Sequence, residues 1–366
     1  MSTWENYPPD YRTHEVQAIR TAVQAGECVS IVGLSGSGKS NLLGFIANRL
    51  NREPTPASQL PAFFLVDCNR LEEFNPQAFF RLVSYTLLKK EPPEAGDELA
   101  TLEAVLDQRL AKDGRVCLLF DRFDTLMHKQ VVDIVSLAVT ANLRALRDAH
   151  KYDLTYVLAT RRPLDPHTEL AELFFAHTLW LGPLAQSEAR WNIARYTERK
   201  GLTWDEDAIR VILKVSWGYP SILRAVCEAY AAGASLEIRS LAEHPVVRRR
   251  VDEFWADQPS EADLRLSGLL HHPLLDAARA SSSIDTTQLT AKEHLLWEYF
   301  LAHPDQVCEK DDLIRAVWPE DRIFERGIRD DSLAQLIRRL REKIEPVPST
   351  PLHIHTVPGR GYRFTP

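Results

Sequence analysis

A chain of 366 residues is long enough for two or three domains, each with a core of its own. With 45% hydrophobic and 26% charged residues, a polar start at Met1-Ser2-Thr3-Trp4 and no apolar run near the roughly 18 residues of a membrane span, it reads as a cytoplasmic protein without a membrane partner. A net charge of −7 excludes indiscriminate coating of nucleic acid and leaves room for a local basic face.

The five cysteines (Cys28, Cys68, Cys117, Cys227 and Cys308) are scattered, with no pair at metal-ligand spacing, and read as reduced core residues. Pro8 and Pro9 precede a helix expected over residues 12–23, which opens Arg12-Thr13-His14-Glu15. Next, an apolar run over residues 28–32 meets Gly33-Leu34-Ser35-Gly36-Ser37-Gly38-Lys39-Ser40 and a helix over residues 41–50. The spacing G-x-x-x-x-G-K-S is that of a P-loop. Backbone N–H groups of Gly33, Ser35, Gly36, Ser37, Gly38, Lys39, Ser40 and Asn41 can curl round phosphates at a helix start, Lys39 reaches the β- and γ-phosphates, and Ser40 ligates Mg²⁺. ATP or ADP with Mg²⁺ is therefore the expected cofactor.

A buried strand is expected over residues 62–67, helices over 74–90 and 97–112, and a second strand over 115–121. That strand is continuously apolar, as in parallel sheets covered on both faces, and ends in Asp121. Downstream of a P-loop such an aspartate is the Walker B acid, holding Mg²⁺ with Ser40. ATPases of this class place a glutamate next as the base for the attacking water, and here the residue is Arg122. A positioned base contributes about 10²–10⁴-fold. Slow hydrolysis is expected, with Asp124 as the substitute if the turn brings it round. A helix over residues 129–150 leads to a strand from Leu154 that ends Thr160-Arg161-Arg162-Pro163, at the sheet edge where α/β folds bind ligands. From Gly182 only helices are expected: 187–200, 205–215 and 220–232, the last preceded by Gly218-Tyr219-Pro220. The basic run at 246–250 is followed by Asp252 and Glu253 and reads as a solvated face. Pro, Ser, His and Ala mark a linker with one short helix around 262–270, and His271 and His272 lack partners for a metal.

Five signals stand in order across about 220 residues: R-x-x-E at Arg12, the P-loop, Asp121, Thr160-Arg161 and G-x-P at Pro220. In that order they resemble the STAND type of AAA+ ATPase. The resemblance implies that Arg12 helps seat the nucleotide base, that Arg161 (with Arg162 the lesser candidate) reads the γ-phosphate, and that Pro220 packs beside adenine in a helical lid. The implied catalytic set is Lys39, Asp121, Asp124 and Arg161.

The C-terminal part opens with a capping box, Thr290-Ala291-Lys292-Glu293, followed by helices over 310–317 and 330–344 joined by a loop at 318–329. In the last helix Leu333, Leu336, Ile337, Leu340 and Ile344 form one stripe and leave Gln335, Arg338, Arg339 and Arg341 off it. A hairpin closes the chain, with the turn Pro358-Gly359-Arg360-Gly361 followed by Tyr362-Arg363-Phe364. The phrases Ile337-Arg338-Arg339-Leu340-Arg341, Ile354-His355-Thr356-Val357 and Gly361-Tyr362-Arg363-Phe364 resemble the OmpR/PhoB-type winged helix over about 78 residues. This implies a third helix in the major groove and a wing arginine in the minor groove. The DNA-contacting candidates are Gln335, Arg338, Arg339, Arg341, Arg360 and Arg363. The family places arginine just before the first wing glycine; here Pro358 stands there and Arg360 lies between the glycines. Residues 287–325 carry 4 Lys/Arg against 9 Asp/Glu, net −5, and residues 326–366 carry 8 against 4, net +4, so the second half is the one suited to phosphates.

The expected architecture is an α/β P-loop NTPase core with a parallel sheet flanked by helices (1–182), an all-helical lid (183–256), a linker (257–286) and an α+β winged helix (287–366). The expected function is a nucleotide-switched, DNA-binding transcriptional regulator acting on double-stranded DNA through nucleotide-dependent self-association. RNA polymerase or an unknown signalling partner could meet the acidic face around Glu309, Asp311 and Asp312. The rivals are an initiator, loader or transposition-accessory ATPase with DNA-stimulated hydrolysis, and a signalling or defence hub.

Overall fold

The structure is a computed structural model that describes residues 3–52, 60–71, 73–92, 96–126, 132–166, 169–281, 289–318, 330–345, 348, 351 and 353–365. The chain divides into two units, Met1–Ala278 and Arg279–Pro366.

In the first unit, five parallel strands among the described residues form one sheet in the order β2-β3-β4-β1-β5: β1 Val29–Val32, β2 Ala62–Asp67, β3 Val116–Asp121, β4 Leu154–Thr160 and β5 Thr178–Trp180. Alternate side chains of these apolar strands serve two cores. Cys117 and Leu119 of β3 join the helices α1 Thr13–Gln24 and α2 Lys39–Arg49 on one face. Val116, Leu118 and Phe120 join α3 Pro76–Leu88, α4 Glu98–Asp113 and α5 Val132–His150 on the other. Asn75 and Asp97 cap α3 and α4 through side-chain oxygens. The start of the helix expected from residue 129 lies outside the described residues. All five cysteines are buried and free. β5 was not anticipated: at three residues with partly exposed side chains it is too short to leave a pattern.

The lid comprises α6 Gln186–Lys200, α7 Glu206–Ser216, α8 Pro220–Ala231, α9 Ile238–Glu243 and α10 Pro245–Trp255. The span expected as linker departs from that reading. It carries α11 Glu261–Leu266 and α12 Pro273–Ser281, and Leu269, Leu274, Leu275 and Ala278 are buried in the lid core. Pro273 starts α12 at a position where a missing N–H costs nothing, and the Ala-rich segment behind it is a good helix former. His272 is buried against Trp217, ring centroids 4.9 Å apart. Arg249 and Arg250 of the basic run pair with Glu253 on their own helix.

The second unit packs α13 Ala291–Ala302, α14 Lys310–Val317 and α15 Asp330–Ile344 against an antiparallel sheet in the order β6-β8-β7: β6 Val307–Glu309, β7 Ile354–Val357 and β8 Gly361–Phe364. The α15 stripe of Leu333, Leu336, Ile337, Leu340 and Ile344 fills its core with Trp297, Phe300 and Phe364. Most of the loop between α14 and α15 lies outside the described residues.

Candidate nucleotide site and nucleic-acid surface

β1 lies between β4 and β5, so the loop that follows it is held from both sides. Gly33 N–H donates to Thr160 O at 3.1 Å, and Leu181 N–H donates to Val32 O at 2.7 Å. Gly36 and Gly38 have φ of 80° and 92°, a region that residues with side chains rarely adopt. Gly38 immediately precedes α2, whose first N–H groups and positive dipole end make the loop an anion site. The Lys39 ammonium donates to Gly33 O, with Leu34 O 3.4 Å away. Burial pulls its pKa down to about 8 against the opposing pull of Asp124, Asp121 and Asp257, while Arg161 adds to the lowering.

Asp121 ends β3 in register with Asp67 of β2 and is 5% exposed. Burial pushes its carboxyl up, and the neighbouring Ser40 hydroxyl pulls the other way. One carboxylate oxygen, Oδ1, is buried without a hydrogen-bond partner. An orphaned carboxylate oxygen beside a hydroxyl is the donor set a hard cation such as Mg²⁺ takes. The next residue, Arg122, is exposed and left-handed, with φ 55°. That kink starts a 3₁₀ turn, Phe123–Leu126, which carries Asp124 back to a buried place facing the loop. Asp124 Oδ2 lies 2.9 Å from Arg161 Nε, and Arg161 Nη1 lies 2.8 Å from Asp257 Oδ1. The exposed Arg162 donates to the Asp257 backbone carbonyl. Lys39, Ser40, Asp121, Asp124 and Arg161 are thus gathered at one edge of the sheet, with Asp257 added by the end of the lid.

Arg12 is held among backbone carbonyls beside the loop. It is 3% exposed, and its Nη groups donate to Glu15 (3.0 Å), Pro183 O (3.1 Å), Gly182 O (2.8 Å) and Ser37 O (3.3 Å). It therefore clamps the loop to the strap between sheet and lid. Its backbone N–H donates to Glu188, which also accepts from Ala185 N–H at 2.8 Å. Pro220 opens α8 beside Gly38. Its neighbours touch the loop itself: Tyr219 Oη donates to Ser35 O at 2.8 Å, and Ser221 N–H donates to Gly36 O at 3.2 Å. Leu34 of the loop is buried in the lid core. Glu188, Tyr219 and Asp257 were not singled out by sequence; only the place of Tyr219 inside Gly218-Tyr219-Pro220 hinted at one of them.

In the second unit Gln335, Arg338 and Arg339 are exposed on α15, as are Arg360 in the turn and Arg363 on β8. Arg338 pairs with Glu342 at 3.0 Å. Arg341 is half-buried and makes bonds of its own within the unit. It donates to Ile354 O at 2.6 Å and to Thr356 Oγ1 at 3.1 Å, and so braces the helix to the hairpin.

A family model described as "Novel STAND NTPase 1" matches residues 11–226. The chain belongs to this family. A second model, "Transcriptional regulatory protein, C terminal", matches residues 285–364, so this STAND NTPase carries a transcription-regulator domain behind its NTPase domain. The alkaline phosphatase synthesis transcriptional regulatory protein SphR of Synechococcus elongatus is 38% identical over 110 residues, 30% of this chain and 40% of the relative. The transcriptional regulatory protein YvrH of Bacillus subtilis is 42% identical over 71 residues, 19% of this chain and 28% of the relative. The STAND NTPase thus spans less than half the length of either. Among solved structures it is similar to the Walker-type ATPase PABY2304 of Pyrococcus abyssi (TM-score 0.48, 15% identity, 96% of this chain and 92% of that one). It is also similar to the ORC2 protein of Aeropyrum pernix (TM-score 0.46, 15% identity, 99% and 92%). No helix among the described residues is long and apolar enough to cross a membrane.

Proposed function

We propose that this protein is a transcriptional regulator whose grip on double-stranded DNA is set by ATP or ADP bound with Mg²⁺ at the P-loop. The observation that carries the reading is one chain holding two sites. In one, Lys39 faces buried Asp121 and Asp124 with Arg161 at hand. In the other, Arg338, Arg339, Arg360 and Arg363 lie exposed on a winged helix. Ser40 and Asp121 would hold Mg²⁺, Lys39 and the loop N–H groups the phosphates, Arg161 the γ-phosphate, and Pro220 the side of the base. Asp124 is engaged by Arg161, which supports slow turnover and a switch more than a motor.

A single winged-helix module buries roughly 600–1,000 Å² on DNA, too little for high specificity, so nucleotide-dependent self-association would present two modules to repeated half-sites. To throw such a switch nearly completely, ATP must favour one state by about 5.5 kcal/mol. The test is a gel shift on a promoter-sized fragment with ADP, with an ATP analogue and with neither, beside Lys39→Ala. A discrete, competitor-resistant complex that follows the nucleotide in wild type and not in Lys39→Ala supports the regulator. Binding indifferent to sequence, with ATP turnover accelerated by DNA, would replace it with a loader.

A further inference from the structure

The nucleotide site contains an acid that comes from outside its P-loop core. Asp257 lies two residues beyond α10, where Gln258 turns the chain through a left-handed φ of 46° toward α11. Its carboxylate is 11% exposed, with one oxygen 2.8 Å from Arg161 Nη1 and the other, Oδ2, buried without a hydrogen-bond partner. Arg162 holds the backbone carbonyl of the same residue. The charge of Asp257 is also felt at Lys39, so the carboxylate shares the field that phosphates would enter.

Arg161 therefore bridges two acids, Asp124 from the core through Nε and Asp257 from the lid through Nη1. A buried carboxylate with only one oxygen engaged is incompletely satisfied, and such a group is held at a cost. From this geometry we infer that Asp257 is an internal competitor of the γ-phosphate for Arg161, and so sets how well the site distinguishes ATP from ADP. The inference rests on the reading of Arg161 given above. ADP has no group to place on Arg161 and leaves the Asp257 pair intact. ATP brings a third phosphate whose charge repels Asp257 and whose oxygens take its partner. The lid end at Asp257 is then released, and from there the chain runs through α11 and α12 to the boundary of the first unit at Ala278.

The experiment is a calorimetric titration of the full chain, with Mg²⁺, using ADP and a non-hydrolysable ATP analogue. The variants are Asp257→Asn, Asp257→Glu, Arg161→Ala and the Asn–Ala double variant, with Lys39→Ala as the site control. Removing the competitor should raise the ratio of ATP-analogue to ADP affinity by about three- to tenfold in Asp257→Asn. The ratio should stay near wild type in Asp257→Glu, which keeps the charge. In the Arg161→Ala background the gain from Asp257→Asn should shrink to about twofold or less, the part due to direct charge repulsion, a result that a purely structural role for Asp257 does not give. A ratio that is unchanged or lower in Asp257→Asn, while Lys39→Ala abolishes binding, overturns the competition and leaves the nucleotide site standing. If wild type and Lys39→Ala bind alike, the nucleotide-site reading fails and this inference fails with it.

Discussion

Asp124 and Arg161 meet at 2.9 Å although they come from different strand ends, and the residue that makes this possible is Arg122. Arg122 adopts a left-handed backbone immediately after β3, so the chain folds back and delivers the acid two positions on. Where a glutamate would be expected to point at water, the chain has an exposed arginine, and the carboxylate arrives by way of the turn.

Exchanging the two positions should therefore have unequal effects. Asp124→Asn should reduce ATP turnover by about 10²-fold or more while the nucleotide still binds, as befits the loss of a positioned base. Arg122→Glu should leave turnover within about twofold of wild type, because its side chain is exposed. Single-turnover hydrolysis alongside equilibrium binding separates the two. A large gain from Arg122→Glu would contradict the placement.

Nucleotide binding should depend on pH through Lys39. Burial brings its pKa down to about 8, so the lysine is charged below that pH and loses its proton as pH rises through it. Phosphate favours the charged form, and affinity should fall by up to about tenfold per pH unit above 8 until the pKa of the bound state is reached. Lys39→Arg keeps its charge throughout and should give a flatter profile at whatever affinity it retains. Fluorescent ADP titrations between pH 7 and about 10 measure both.

Arg12 should matter to stability before it matters to the base. Arg12→Ala removes charged donors from Ser37, Gly182 and Pro183 carbonyls and unpairs Glu15, a loss of about 3–5 kcal/mol in denaturant unfolding. Lysine cannot reproduce the forked geometry, so Arg12→Lys should recover little of it. Unfolding unchanged beside weakened nucleotide binding would contradict this and favour a direct role for Arg12 at the base.

On the winged helix, Arg339 and Arg341 should separate cleanly. Arg339→Ala should weaken DNA binding by about 1–3 kcal/mol with no change in melting, since the side chain is exposed. Arg341→Ala should lower the melting temperature of the second unit, because the bonds to Ile354 and Thr356 are lost. Melting curves beside anisotropy titrations distinguish them.

Much of this was legible in the sequence because it was written locally. Gly33 to Ser40 carries its chemistry in its spacing, the continuous apolar run of β3 announces a strand covered on both faces, and the α15 stripe marks its own buried side. What was missed depends on contacts distant along the chain. Asp257 gains its meaning from Arg161, 96 residues away. Glu188 does so from Arg12, 176 residues away. Nothing in the neighbours of either residue encodes its partner. The brace made by Arg341 was missed for a related reason: helical spacing says that it leaves the apolar stripe but not that β7 offers it a carbonyl. Residues 273–281 looked like linker by composition, yet Leu274, Leu275 and Ala278 supply an apolar face that the lid core buries.

The central claim is that the two sites are coupled, and coupling between binding equilibria is reciprocal. The most direct measurement is therefore the affinity for an ATP analogue with and without a saturating specific DNA fragment, set beside the DNA affinity with and without the analogue. The account predicts the same factor in both comparisons, about five- to 150-fold, and its disappearance in Arg161→Ala. Nucleotide affinity that is identical with and without DNA, in a protein that binds both, would contradict it.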